Sequence, residues 1–258
     1  VGEVKLSSAE LKEKAALQNV QSNSRGALMG IIAVKEAIAH AELSAEDLKT
    51  TALISGTSVG GMDLFEQGFG KVMDEKIENP SLYFIEHDCG NINLKIASET
   101  GIKGYISTIS TACSSSANAL LLGARMIKAG LIDRAIVGGS DALSKFTVNG
   151  FNALGILDGK HSSPFDIDRN GLNLGEGAAY LVLEAGDICK DKVILAELKG
   201  YGNSNDAFHQ TASSAEGIGS KLAIEKALRI AGIKADEIDY VNTHGTGTGN
   251  NDLSESQS

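Results

Sequence analysis

The sequence predicts an α/β layered fold with a largely parallel sheet, and three observations carry that prediction. Short β-branched runs alternate with segments of helical period along most of the 258 residues, the order expected of βα units. Two strand-like runs pass directly into turns built from glycine and other small residues, GTSVGG beginning at Gly56 and GTGTGN beginning at Gly245. Part of the pattern also occurs twice: IAVKEAIAHAELSAEDL from Ile32 lies over LAIEKALRIAGIKADEI from Leu222, an offset of 222 − 32 = 190. Ala33, Ala37, Ala41 and Ala45 then fall on Ala223, Ala227, Ala231 and Ala235, and a one-residue slip lays GTSVGG over GTGTGN. Such a repeat predicts a duplicated α/β domain, each half presenting a glycine-rich loop at the end of an equivalent strand.

The elements follow in order. Arg25 to Ala41 has helical spacing of apolar residues, and TTALISGTS around Ile54 reads as a buried strand. Ser81 to Thr100 is apolar and helix-prone, GYISTIST reads as a strand, Cys113 to about Ala129 as a helix, and RAIVGGSDA as a strand. The helix after Cys113 carries Ala117, Ala119, Leu120, Leu121, Leu122 and Ala124 almost unbroken; with so little polar surface it is expected to be buried. AAYLVLE and VILAELKGYGNS read as two adjacent strands forming a hairpin-like crossover, and the second α/β unit follows. The first three alanines of each repeat recur at i, i+4, a small-residue stripe suited to close packing. The expected domains are residues 1–188 and 192–258. The closing run DLSESQS reads as the first turn of an unfinished helix, so truncation is expected.

Lys plus Arg less Asp plus Glu is 23 − 33 = −10, which disfavours nucleic acid and anionic lipid as partners. Apolar runs such as Ala117 to Ala124 fall far short of the roughly 20 residues of a membrane span, and no basic-then-apolar leader opens the chain. The expectation is a cytoplasmic protein that does not enter membranes. Three cysteines, Cys89, Cys113 and Cys189, are an odd number with no CxxC pair. That suits neither a disulfide framework nor a zinc site and leaves room for one working thiol. GTSVGG resembles a phosphate loop only superficially, since neither GxxxxGK[ST] nor GxGxxG occurs.

Cys113 is the candidate thiol. It stands where a β-rich strand ends and a helix begins, among Thr111, Ala112 and three serines small enough for a sharp turn. A helix N-terminus favours thiolate over thiol and stabilises a developing oxyanion; the alternative is a small core residue, the usual fate of a cysteine. Cys89 and Cys189 lack this setting and read as packing residues. His244, in YVNTHGTGTGNND, also follows a strand, in a loop whose glycines admit a ligand and whose threonines can hydrogen-bond it. A histidine there can exchange protons or hydrogen-bond an oxyanion, although a lone histidine is more often structural. His209 reads as structure near a site, His161 as a surface-loop residue, and His40 and His87 as parts of helical patterns.

Four separated motifs together resemble the β-ketoacyl synthases of the elongating, two-histidine type, in the thiolase superfamily. TACSSS resembles the active-site cysteine signature, AIVGGSDAL the strand that follows it, SPFDIDRNGLNLGEGAAYLVLE the long signature block, and THGTGTGNND the first catalytic-histidine loop. The resemblance runs from about Arg25 to the end, in the family's order. It implies a thiolase-like fold of duplicated α/β/α layers with mixed, largely parallel sheets, the second half incomplete.

By the same resemblance Cys113 is the nucleophile that takes an acyl chain from a carrier-protein thioester. His244 would help decarboxylate a malonyl extender and stabilise the enolate that attacks the acyl-cysteine. Thr246 and Thr248 match positions that hydrogen-bond the phosphopantetheine arm, and Phe151 one bordering the acyl pocket, although an aromatic at helical spacing is more often core. The family's second histidine, its lysine and its gating glycine-phenylalanine segment lie beyond Ser258, and the first half lacks its opening strand. The chain alone is therefore expected not to run a full condensation, and its exposed sheet edge is a pairing hazard.

No metal or cofactor is implied. The implied partners are acyl carrier protein, bearing acyl and malonyl thioesters of phosphopantetheine, and a second copy of the chain, a homodimer with Tyr105 to Thr108 near its two-fold axis. A local basic patch would have to receive the acidic carrier; Lys71 with Lys76, or Arg125 with Lys128, could contribute. Two other readings stand beside this one: a thiolase or priming synthase using coenzyme A thioesters, and a non-catalytic partner subunit of a synthase, against which the retained Cys113 argues.

Overall fold

The computed structural model describes residues 1–17, 23–74, 81–189, 192–209 and 212–258. It falls into two compact units, one formed by Gly2–Val148 with Gly175–Ile194, the other by Asn149–Leu174 with Leu195–Ser258 and Val1.

The first unit holds the sheet. Its elements run α1 (Ser8–Ala15), α2 (Arg25–His40), α3 (Ala45–Thr50), β1 (Ala52–Gly56), α4 (Met62–Met73), α5 (Ser81–Phe84), α6 (Cys89–Thr100), β2 (Ile106–Ile109), α7 (Ser115–Lys128) and β3 (Arg134–Asp141). After α8 (Lys145–Ala153), which contains the division between the units, the chain returns as β4 (Gly177–Glu184). The strand order is β2-β1-β3-β4. β1 pairs in parallel with both β2 and β3, while β4 runs antiparallel to β3, the mixed and mostly parallel sheet that alternating strands and helices predict.

Each face of the sheet is covered by helix. Leu53, Ile136 and Tyr180 point into a core with Leu28, Ile31, Ile92 and Ile96 of α2 and α6, and α1 adds Leu11 and Ala15. Ala52, Ile54, Ala135 and Val137 point the other way, onto Ala119 of α7. Alternate residues of β1 thus serve opposite faces, and all five are buried. Fully burying one Leu or Ile side chain contributes about 1.5–3 kcal/mol, so this apolar pattern is what holds α2 to the sheet. α2 itself starts on Ser24, whose hydroxyl accepts the Ala27 N–H at 3.2 Å.

One row shows how sequence sets packing. Ser55, Gly138 and Tyr180 stand opposite one another on β1, β3 and β4. A side chain at Gly138 would lie 2.9 Å from the Tyr180 ring. Without one, the ring crosses β3 and its hydroxyl meets Ser55 Oγ at 2.6 Å. Burial, more than the Ser55 bond can offset, raises the pKa of that phenol.

Three local expectations need correction. Ser81 to Thr100 is not one helix: Asp88 breaks it, with its carboxylate accepting the Gly90 N–H at 2.6 Å as the cap of α6. α7 buries only Ser115, Ala119 and Gly123, because one face meets the sheet and, among the described residues, no element covers the rest. VILAELKGYGNS forms no strand, and Val193, Ile194 and Leu195 are exposed; an alternating pattern becomes a strand only when a ladder partner is present.

The second unit contains α9 (Ile218–Ala231) and α10 (Gly249–Gln257). The predicted alanine stripe of α9 is used here. Any side chain at Gly200 or Gly202 would overlap the carbonyl oxygens of Ala227 and Ala223, so this glycine pair lets the backbone lie directly on the helix. The repeat survives as helix, short turn and glycine loop, but YVNTH, unlike its counterpart β1, is not paired in a sheet.

Candidate active site

Cys113 is exposed and forms no disulfide. It sits after β2 and just before Ser114, the residue that caps α7. The preceding Ala112 has φ +52°, a left-handed conformation that a residue with a Cβ adopts only when its surroundings hold it there. They do so through its carbonyl oxygen, which accepts from the Ser115 hydroxyl at 2.6 Å, the Ser115 N–H at 3.0 Å and the Ser58 hydroxyl at 3.2 Å. The Thr111 N–H closes the turn by donating to Ser115 Oγ at 2.9 Å. Ser115 and Thr111 of the small-residue cluster, with Ser58 from outside it, thus hold an abrupt strand-to-helix turn with the thiol on its outside.

The loop after β1 lies against this turn and is held from β3. Asp141 accepts from Thr57 Oγ1 at 2.6 Å and from the Ser58 N–H at 2.9 and 3.0 Å. Thr57 is buried, and its hydroxyl oxygen in turn accepts the Gly60 N–H at 3.0 Å. GTSVGG is therefore a structural loop beside the thiol, organised by one carboxylate.

In the second unit, His244 is exposed in a loop gripped by the following helix. Glu255 of α10 accepts the His244 N–H at 2.6 Å and the Gly245 N–H at 2.9 Å, one on each carboxylate oxygen. Asp252, 2% exposed, accepts the Gly247 N–H at 3.1 Å and the Phe165 N–H at 2.7 Å. Gly245 and Gly247 have φ +53° and +73°, which explains glycine at both places. The Thr246 and Thr248 hydroxyls are joined at 2.9 Å. Ser162 ties the signature block to this loop by donating to the Thr246 carbonyl at 3.3 Å and to that of Gly171 at 2.9 Å.

The structure thus brings His244, Thr246 and Thr248 together on one loop, with Cys113 on a strand-to-helix turn of the other unit. Phe151 is half-buried on α8. His209 and His161 are exposed loop residues, Cys89 opens α6, and the Cys189 thiol donates to the Gly186 carbonyl. Lys71 is exposed over the Tyr83 ring at 5.3 Å, whereas Lys76 lies outside the described residues. Among the described residues no group of His, Cys, Asp and Glu is arranged to hold a metal ion. Sequence reading missed the carboxylates that shape both loops, Asp141, Asp252 and Glu255. The last two sit three apart in DLSESQS, a spacing that puts both on one helix face and was the available signal.

Family models match along nearly the whole chain: "Beta-ketoacyl synthase, N-terminal domain" over residues 11–187 and "Beta-ketoacyl synthase, C-terminal domain" over residues 195–258. The 3-oxoacyl-[acyl-carrier-protein] synthase 2 of Vibrio cholerae is 34% identical over 226 residues, 83% of this chain and 54% of that protein. That of Staphylococcus aureus is 32% identical over 237 residues, 87% of this chain and 57% of the relative. The chain spans about half the length of these curated relatives. Among solved structures, the ishigamide ketosynthase/chain length factor matches with TM-score 0.90 and 30% identity, covering 99% of this chain and 64% of that one. A ketosynthase in complex with its chain length factor from Xenorhabdus doucetiae matches with TM-score 0.80 and 35% identity, covering 99% and 62%. These likenesses establish the thiolase-like α/β fold.

Proposed function

The chain belongs to the β-ketoacyl synthase family, and from that membership we propose that it contributes the acyl-accepting and enolate-forming groups of a decarboxylative condensation in fatty acid or polyketide synthesis. The observation that carries this reading is the strained turn at Ala112, which presents an exposed thiol beyond the carboxyl end of a parallel strand, the usual place for chemistry in such sheets. The Cys113 thiolate attacks the carbonyl of an acyl thioester on carrier protein; the C–S bond to phosphopantetheine breaks, and its sulfur leaves as a thiolate that takes up the proton Cys113 lost on ionising. A malonyl thioester then loses carbon dioxide, its electron pair passing into an enolate whose charge His244 stabilises by hydrogen bonding. The enolate carbon attacks the acyl-cysteine and Cys113 is released. Thr246 and Thr248 hold the phosphopantetheine arm, and Phe151 borders the acyl chain.

The division into residues 1–188 and 192–258 belongs to the same reading, one half carrying the nucleophile and the other the histidine loop. So do cytoplasmic location and homodimerisation through β2. No described helix is long and apolar enough to cross a membrane, and among the described residues β2 is an edge strand, paired on one side, with β1.

Intact-mass spectrometry after incubation with octanoyl carrier protein and, separately, octanoyl coenzyme A tests the proposal. The expected result is one octanoyl adduct from the carrier protein, absent in Cys113→Ala. An adduct from coenzyme A alone would favour the thiolase or priming reading, and none from either donor would favour a non-catalytic partner subunit.

A further inference from the structure

We propose that Ser58, held by Asp141, is a positioning residue for Cys113, an inference that rests on reading Cys113 as the nucleophile. Of the three donors to the Ala112 carbonyl, two come from Ser115 in the first turn of α7, while the Ser58 hydroxyl comes from the loop after β1. It therefore ties the thiol's turn to a separate element. The carbonyl of Ala112 and the N–H of Cys113 belong to one rigid peptide plane. Whatever orients that oxygen also orients the Cys113 amide and the Cα from which the thiol projects.

Ser58 is exposed, and an exposed hydroxyl would ordinarily rotate into water. Its backbone is fixed instead. Asp141 receives the Ser58 N–H on both carboxylate oxygens and the Thr57 hydroxyl on one of them. Since Asp141 is the last residue of β3 and Thr57 directly follows β1, the line of contact runs from two central strands through Ser58 to the strained alanine. The sheet thereby holds Ala112 in its left-handed conformation from outside the helix. A thiol that needs only a helix N-terminus would need no such contact.

Three variants of the chain test this: Ser58→Ala, Ser58→Thr and Asp141→Asn. The first readout is single-turnover octanoylation of Cys113 from octanoyl carrier protein. The second is iodoacetamide alkylation of Cys113, Cys89 and Cys189, resolved by peptide mass spectrometry. Ser58→Ala should lower the maximal octanoylation rate roughly tenfold, the worth of one neutral hydrogen bond at its upper end, with the half-saturating donor concentration unchanged. Ser58→Thr should restore the rate, and Asp141→Asn should slow it in the same way. Alkylation of Cys89 and Cys189 should match the parent. Parent-like octanoylation in Ser58→Ala overturns the proposal, as does a parallel change at all three cysteines, which would mean general loosening. If the parent itself is not octanoylated, the nucleophile reading fails. A changed alkylation rate confined to Cys113 in Ser58→Ala then still supports positioning, and an unchanged one overturns it.

Discussion

Glu176 shows how much one residue can hold. Its carboxylate, 1% exposed, meets the Arg25 guanidinium at 2.5 Å and accepts the N–H groups of Val4 and Leu143 at 3.2 Å each. Burial alone would raise its pKa, but the Arg25 and backbone hydrogen bonds hold it below the usual carboxylate value. Such a group stabilises the fold at pH above its unfolded pKa, and that stability is lost as pH falls through the lower folded value. Asp63 works in the opposite sense, since burial raises its pKa against the Arg25 N–H it accepts at 2.9 Å. Its charge therefore costs stability as pH rises from the unfolded toward the folded value. Glu176→Gln should destabilise by about 3 kcal/mol at pH 7, the cost of removing one partner of a buried ion pair, and flatten the acid limb of a stability–pH profile. Asp63→Asn should instead remove the loss on the rising limb. Urea denaturation from pH 3 to 7 measures both, and an unchanged acid limb in the glutamate variant would refute the assignment. None of this was legible in the sequence, because Arg25 and Glu176 are 151 residues apart and only the folded chain pairs them.

At the scale of elements, legibility followed locality. α2, β1, β3 and β4 appear where period and β-branching put them, and the turn at Cys113 could be read because small residues cluster between a strand and a helix. The left-handed Ala112 could not be read, since alanine carries no signal for positive φ. The break at Asp88 depended on a capping bond that competes with helix continuation. Residues 193–204 misled for a different reason: alternation records which faces are apolar, not whether a neighbouring strand is there. What that segment does possess is the Gly200–Gly202 pair against α9. Gly200→Val should cost about 2–3 kcal/mol, the upper range for overpacking a tight contact, and should speed hydrogen exchange across Leu195–Ser258. Exchange rates unaltered there would mean that the close approach contributes nothing.

For the whole molecule, the open sides of the sheet define what remains to be matched. The Leu53 and Thr57 N–H groups donate to the Tyr105 and Ile109 carbonyls at 2.8 and 3.1 Å. Backbone groups alternate direction along a strand, so Ile106 and Thr108 turn theirs outward. If a homodimer forms through β2, Thr108→Pro deletes one outward donor without removing a bond to β1. The dimer dissociation constant from sedimentation equilibrium should then rise at least about tenfold, the worth of a hydrogen bond together with a disrupted edge; an unchanged constant would place the interface elsewhere. The half-exposed Leu120, Leu121 and Leu122 of α7 belong at this scale too, because their pattern reports apolar character without identifying its cover.

The strand order β2-β1-β3-β4 also bears on how the chain is made. Of the four described strands, β1 is the first to leave the ribosome. β2 can then join one side of it, β3 the other, and β4 the outer side of β3. None of these four has to be inserted between two that are already paired, so each meets a finished edge as it is synthesised, and the four can pair in the order of translation without being taken apart.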